Sequence, residues 1–385
     1  MDLTAWYQGQ TSRLPALPES LMDMDPFEFM LETLETGDTE KLIPPDFPPS
    51  YSSFTKTISG KERTLYDPNK SMRIITRSFQ NGVLARLNFF LQLDEFSLPM
   101  CKKRLQSFIS LPSSFAYKNG SSLEKVFVQH KKGQYFYVVD LKSAYQNVDL
   151  ALLATLITSL LLSRTSSALL LFSHVQNILY QKAEDIFVDD EYTLYKRILS
   201  FIRKFCTLEH EGIPGILLGS TISTWLFNIY CEGLIDLPIK TQLYRLYKSD
   251  VTFTRYGDDL IFSTQNPNRI NKKKIAEVVE KVFEINQKKV RSANIEVRQI
   301  KVLGFSIDAS GRVVFPTKKR NKLHVLMHKS MLDIQNKKKR YKALGFINHF
   351  YEYIKINEGN LTESDRTTLN KIREFKGYKQ KFRRR

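Results

Sequence analysis

Two adjacent acids, Asp258 and Asp259, sit at the centre of Phe253-Thr-Arg-Tyr-Gly-Asp-Asp-Leu-Ile-Phe262, an otherwise apolar strand–turn–strand pattern. A tight turn centred on Gly257-Asp258 exposes both carboxylates at a sheet edge. Clustered acids repel one another and are tolerated when a cation neutralises them. A third acid, Asp140, ends the hydrophobic run Gln134-Tyr-Phe-Tyr-Val-Val-Asp140, and an aromatic, Tyr145, follows five residues later. Taken singly, the Gly-Asp-Asp is an ordinary hairpin turn and Asp140 a helix N-cap. Side by side, the three carboxylates suit two Mg²⁺ ions, which prefer oxygen ligands. Two such ions about 4 Å apart can activate an attacking 3′-hydroxyl and stabilise a leaving pyrophosphate.

The elements around these acids must bring them together. Gln134 to Asp140 reads as a buried strand, and Ser249 to Thr264 as a hairpin. Tyr51 to Leu65 reads as a short hairpin turning at Ser59-Gly60-Lys61. Residues 69 to 110 carry helical periodicity, with Val83, Leu84, Leu87, Phe90 and Leu91 on one face. Helices are expected over 148–205, over Leu217 to Cys231 and over Asn271 to Gln287. Gln299 to Ile307 reads as one strand, and the tail from 318 as basic helix. Strands separated by long helical insertions make an α+β fold.

Hydrophobic residues are 42% of the 385-residue chain and charged residues 25%, a composition that builds a core. The formal charge is +18, which points to nucleic acid first and an anionic membrane surface second. The charge is uneven. The first 50 residues hold ten acids against Arg13 and Lys41, so the remainder is more basic than the total suggests. The proline-rich Ile43-Pro-Pro-Asp-Phe-Pro-Pro49 ends this arm. Cys101, Cys206 and Cys231 are widely spaced and odd in number, so neither a disulfide framework nor a zinc site follows, and a reducing cytoplasm is expected. Met1 to Gln10 has no basic n-region and no apolar run, so no signal peptide is expected. The apolar stretch Leu150 to Leu162 is too short to cross a bilayer. The terminal Lys379-Gln-Lys-Phe-Arg-Arg-Arg385 offers only Phe382 as a membrane anchor, so no membrane role is expected.

The acids and their surroundings resemble the motifs of reverse transcriptases. Asp140 with Tyr145 is similar to motif A, and Tyr256-Gly-Asp-Asp259 to motif C. Between them Gly212-Ile-Pro-Gly-Ile-Leu-Leu-Gly-Ser220, followed by a helix with Ser223 and Asn228, resembles motif B. Here Gly215 replaces the usual Gln and Thr221 the usual Pro. Tyr51 to Pro68, containing Arg63, resembles the fingers motif. Ile285-Asn-Gln-Lys-Lys-Val-Arg291 and Arg298-Gln-Ile-Lys-Val-Leu-Gly-Phe305 resemble motifs D and E, which implies a primer-grip turn over Val302 to Phe305. Leu344-Gly-Phe-Ile-Asn-His-Phe-Tyr351 looks like the start of a helical thumb. The match spans roughly residues 51 to 380 and looks most like the bacterial retron, abortive-infection and defence-associated branch. The retron signature Asn-Ala-x-x-His is Val126-Phe-Val-Gln-His130 here, and Val-Thr-Gly is Val302-Leu-Gly304. These departures favour a defence-associated enzyme over a retron proper.

The resemblance implies a right-hand polymerase: an acidic arm over 1–50, fingers and palm over 51–310 and a basic helical thumb over 311–385. It implies an RNA-directed DNA polymerase in antiphage defence, in which Asp140, Asp258, Asp259 and the carbonyl of Leu141 hold two Mg²⁺ ions, or Mn²⁺ in their place. Lys61, Arg63, Ser220 and Lys289 would bind the deoxynucleotide, and Tyr145 would exclude the ribose 2′-hydroxyl. The implied partners are an RNA template, a DNA or hybrid product, and a dedicated non-coding RNA or accessory protein. Alternatives are a template-independent or protein-primed DNA polymerase of the same fold, an RNA-dependent RNA polymerase, and a nucleic-acid-binding scaffold with a vestigial site. The bulky Tyr145 speaks against the RNA polymerase, and the presence of all three acids against the scaffold.

Overall fold

The computed structural model describes residues 49–58, 61–91, 116, 122–162, 181–247, 250–333, 336–357 and 360–383. The acidic arm over 1–48, Cys101, the turn residues Ser59 and Gly60 and the side chain of Lys61 lie outside the described residues. So do the expected helix beyond residue 91 and the side chains of the C-terminal basic run. The main elements begin with β1 (Tyr51–Ile58), β2 (Lys61–Pro68), α1 (Lys70–Leu91), α2 (Leu123–His130), β3 (Tyr135–Asp140) and α3 (Leu150–Leu162). They continue with α4 (Asp189–Cys206), α5 (Thr221–Cys231), α6 (Leu237–Tyr247), β4 (Thr252–Tyr256), β5 (Asp259–Thr264) and α7 (Lys272–Val279). The last are β6 (Arg291–Asn294), β7 (Ile300–Val302), β8 (Phe305–Ile307), β9 (Val313–Val314), α8 (Thr317–Leu332), α9 (Lys337–Ile356) and α10 (Glu363–Arg383).

The chain folds as two compact units. The first takes residues up to 112, 141–246 and 273–285. It holds the β1–β2 hairpin, in which Tyr51 pairs with Pro68, and a set of helices. Helix α1 starts where the Asn69 carboxamide oxygen accepts the Met72 amide at 2.9 Å, and α3 where Asp149 does the same for Leu152 at 2.9 Å. The apolar run of α3 is indeed buried, with Leu153, Ala154 and Ile157 fully covered. Helix α4 is amphipathic, burying Tyr195, Ile198, Phe201, Ile202 and Phe205. Asp189, Asp190 and Glu191 occupy its first turn and Arg203 and Lys204 its last, which suits the helix dipole at both ends.

The second unit takes residues 113–140, 247–272 and 286–385. Its four-stranded antiparallel sheet runs in the order β4-β5-β3-β6, and a smaller sheet runs β7-β8-β9. Alternation along β3 and β5 divides their side chains between two faces. Phe136, Val138 and Ile261 join a core with Phe305, Phe315, Leu323, Ile347, Phe350 and Ile372. Phe253 and Phe262 stack on the other face with ring centres 4.9 Å apart, and Tyr137 packs tilted against Phe262 at 5.9 Å. The helices α8, α9 and α10 are tied together by Asp365, which is fully buried. It accepts from Arg320 at 2.5 Å, the Tyr353 hydroxyl at 2.8 Å and the Thr362 amide at 2.9 Å. Among the described residues no helix is long and apolar enough to cross a membrane.

Three sequence expectations shift. The strand expected over Gln299 to Ile307 is a hairpin, β7–β8, because Leu303 (φ 49°) and Gly304 (φ 82°) adopt left-handed backbone. Helix α7 ends at Val279, short of Gln287, because the chain must extend for Ile285 to bridge Leu141. Helix α5 starts at Thr221, not Leu217, because Gly219 (φ 109°) and extended Ser220 precede it. The strands β6 and β9 were not anticipated.

Candidate active site

The three acids converge at one end of the four-stranded sheet, within the second unit. Asp140 is the last residue of β3 and Asp259 the first of β5, and they are direct partners in the antiparallel register. Paired residues share a sheet face, so both carboxylates stand on the same side. Asp258 occupies the two-residue turn between Tyr256 and Asp259. Gly257 there has φ 64°, a conformation that glycine takes without a Cβ penalty. Beneath the turn the Arg255 side chain is fully buried, and its guanidinium donates to the Gly257 carbonyl at 3.3 Å.

The cluster is electrostatically uneasy. Burial, then the charges of Asp258 and Asp140, push the Asp259 carboxyl up to about 7, against the opposing pull of Lys289 and Arg291. Asp140 is buried and already held. Its Oδ1 accepts from Lys289 Nζ at 2.5 Å, and its Oδ2 from Asn286 Nδ2 at 3.1 Å. Asn286 also donates its amide to the Asp140 carbonyl at 2.9 Å. Among the described residues no three Asp, Glu, His or Cys side chains stand close enough together to hold a metal ion between them without rearranging. The acids are hard oxygen donors at one sheet end, one of them raised by burial and then by its acid neighbours, another paired with a lysine. That donor set fits divalent cations.

Lys289, expected beside the nucleotide triphosphate, pairs here with Asp140. The other expected residues belong to the first unit. Leu141 bridges Ile285 through hydrogen bonds made by the flanking residues, Lys142 to Glu284 and Asn286 to Asp140, both 2.9 Å. Its own carbonyl takes no part in that pair. Tyr145 is buried, with its ring stacked on Phe227 at 4.8 Å and 17°. Its carbonyl accepts from the Ile216 amide at 3.0 Å. A Cβ on Gly215 (φ 69°) would lie 2.3 Å from the Tyr145 carbonyl oxygen, which explains glycine at a position where the family has a larger residue. Ser220 precedes α5 and is buried. The preceding loop meets β2, where the Tyr66 amide donates to the Leu218 carbonyl at 2.9 Å. Arg63 is half-buried on β2 opposite Lys56 and forms no ion pair among the described residues. Lys61 begins β2, and its side chain lies outside the described residues.

Two supporting residues had no assigned role in the sequence reading. Asn286 was visible only as part of a lysine-rich run. His130 was noted only as the surviving residue of a signature. It is fully interior, and its Nδ1 and Nε2 lie 2.6 Å from Ser263 Oγ and 2.7 Å from Thr254 Oγ1. Burial pushes its imidazole down to about 3, so the ring is neutral and bridges the two strands that carry the Asp258–Asp259 turn. A histidine on an amphipathic helix gives no sequence signal for such a bridge.

Residues 68–347 match the family described as reverse transcriptase (RNA-dependent DNA polymerase). The chain belongs to that family and is an RNA-directed DNA polymerase, a nucleotidyltransferase. It is 22% identical over 306 residues to the Retron Ec73 reverse transcriptase of Escherichia coli, covering 78% of each protein. Among solved structures it is similar to telomerase from Candida albicans, with a TM-score of 0.41, 11% identity and 98% of this chain covered. It is also similar to apo telomerase from Candida tropicalis, with a TM-score of 0.40, 14% identity and 90% covered. The chain spans 63% of the Candida albicans telomerase chain. Enzymes of this family use divalent metal ions and bind RNA and DNA.

Proposed function

We propose that Asp140, Asp258 and Asp259, with the backbone carbonyl of Leu141, hold two Mg²⁺ ions and extend a primer 3′-hydroxyl with deoxynucleotides on an RNA template. Mn²⁺ is expected to substitute. The register that sets Asp140 opposite Asp259, next to a turn bearing Asp258, carries this reading. Bound divalent ions would supply activation of the primer hydroxyl and neutralisation of the departing pyrophosphate. Lys289, which neutralises Asp140 here, would bind the triphosphate. Arg63, Lys61 and Ser220 would complete the nucleotide site, and Asn286 would keep Asp140 oriented. The proposed division is an acidic arm to residue 50, fingers and palm over 51–310 and a basic thumb beyond. The inferred partners are an RNA template, a DNA or hybrid product, and a dedicated non-coding RNA or accessory protein, and the inferred setting is antiphage defence within the cytoplasm.

Extension of a DNA primer on an RNA template tests the reading. Asp258→Ala with Asp259→Ala should lower incorporation by more than about 10³-fold while the protein stays folded. Full activity of the double variant would remove the assignment. Tyr145→Ala should raise ribonucleotide use relative to deoxynucleotide use. A parallel fall in both would instead reflect the buried stack on Phe227, a core truncation of roughly 3–5 kcal/mol.

A further inference from the structure

The second unit carries a cavity of about 690 Å³ away from the acids. Phe136 on its wall lies four residues before Asp140 on β3, roughly 13 Å along the strand. Its floor is apolar and partly aromatic, with Phe127, Phe136 and Leu361, and its rim holds Lys131, Arg312 and Arg366. Among the described residues no Asp or Glu lines it.

The rim is built and positively charged. Arg312 donates to the Asn360 carbonyl at 2.7 Å and stands 4.0 Å from Asp365. Asp365 is already paired with Arg320 at 2.5 Å, so one carboxylate faces two guanidiniums and a positive surplus remains. The Arg312 backbone is fixed as well, because Asp308 Oδ1 accepts the amides of Ser310 and Arg312, each at 3.0 Å. Arg366 is exposed and forms no ion pair among the described residues.

We propose that this cavity binds a nucleotide unit, with its phosphate against Arg312, Arg366 and Lys131 and its base against the apolar floor. Guanidinium forks match phosphate oxygens, and the volume lies in the usual range of small-molecule sites. The same chemistry is offered by a free mononucleotide and by one residue of a single-stranded RNA. The site is separate from the acids and does not depend on their proposed role.

The test uses the full chain saturated with a template–primer duplex in EDTA, so that neither catalysis nor the template path contributes. The probes are AMP and a fluorescein-labelled single-stranded oligoribonucleotide carrying 4-thiouridine. Saturable RNA binding is expected, with crosslinks to peptides within 123–136, 306–313 or 356–366. Arg366→Ala should weaken binding about tenfold. It should also lower the slope of log affinity on log salt by about 0.7, the change for one single-strand phosphate contact. Lys131→Ala should act in the same direction. Both side chains are exposed, so folding should survive, and primer extension by the variants should match wild type. Competition by AMP identifies a free-nucleotide site, and RNA binding without AMP competition identifies a strand residue. No saturable binding of either probe, binding unchanged in the Arg366→Ala/Lys131→Ala variant, or crosslinks confined to other peptides would overturn the proposal.

Discussion

The second unit contains two hairpins that turn in two residues, β4–β5 and β7–β8, and a cation caps a glycine carbonyl in each. At the first turn Arg255 donates to Gly257 at 3.3 Å, and at the second Lys319 donates to Gly304 at 2.8 Å. The resemblance ends at the side chains. The first turn carries Asp258 and Asp259, and its cation is fully buried in the strand itself. The second carries Leu303 in left-handed backbone, and its cation comes from α8. Lys319 is half-buried beside the neutral partner His349, 3.1 Å away, and forms no ion pair among the described residues. One turn therefore concentrates like charge that a cation must relieve. The other fixes a backbone shape without opposing charge. The chemistry resides in what the turn displays, not in how the chain turns.

Replacing each capping cation separates the two cases. Arg255→Met should cost about 3 kcal/mol in stability, because it removes a buried charge from beneath an acidic turn. It should also reduce incorporation more than it changes primer affinity. Lys319→Met should cost only about 1 kcal/mol, since its bond is partly solvated. Denaturant melts of both variants check the order. Equal costs would mean that the acids do not distinguish the two hairpins.

A smaller effect is expected from pH. Each hairpin leans on a neutral histidine, His130 for the first and His349 for the second. Burial pushes His130 down to about 3. Burial, helped by the Lys319 charge, pushes His349 down to about 4. Both folded values lie below the unfolded value near 6.5, so the unfolded chain binds more protons within that window. Their stability contribution is complete above about pH 6.5 and is lost as pH falls toward 4 and then 3. His130→Gln and His349→Gln should each flatten the decline in melting temperature between pH 7 and pH 4.5. An unchanged decline in both would show that neither ring is held neutral.

Much of the acid cluster was legible in the sequence, because strand-terminal Asp140 and the Gly-Asp-Asp turn obey local rules of alternation and turn chemistry. The α+β class followed from the same patterns. Long-range partners were not legible. Asn286 reaches Asp140 across 146 positions, and His130 reaches Ser263 across 133. Neither spacing has a periodic signature. Gly215 looked like a departure from the family pattern, and its reason appears only when the Tyr145 carbonyl is seen against it. Periodicity ran β7 and β8 together as one strand because Leu303 is not a residue that advertises left-handed backbone, whereas the resemblance implied a turn over Val302 to Phe305. Its motif resemblance, rather than its pattern, marked the spot.

The central claim is that the three acids form a cation site, and Mn²⁺ binding followed by electron paramagnetic resonance tests it most directly. Wild-type protein should bind Mn²⁺ saturably at pH 8, and Asp140→Asn, Asp258→Asn and Asp259→Asn should each weaken binding by about tenfold or more. The same samples without metal supply an internal check of sign. Asp259 has a folded value near 7, raised by burial and by its acid neighbours, so its ionisation disfavours the metal-free fold as pH rises through 7. Metal-free Asp259→Asn should therefore melt higher than wild type at pH 8, with the gap closing toward pH 4. Undiminished Mn²⁺ binding in all three variants, with no gain in melting temperature for Asp259→Asn, would contradict the account.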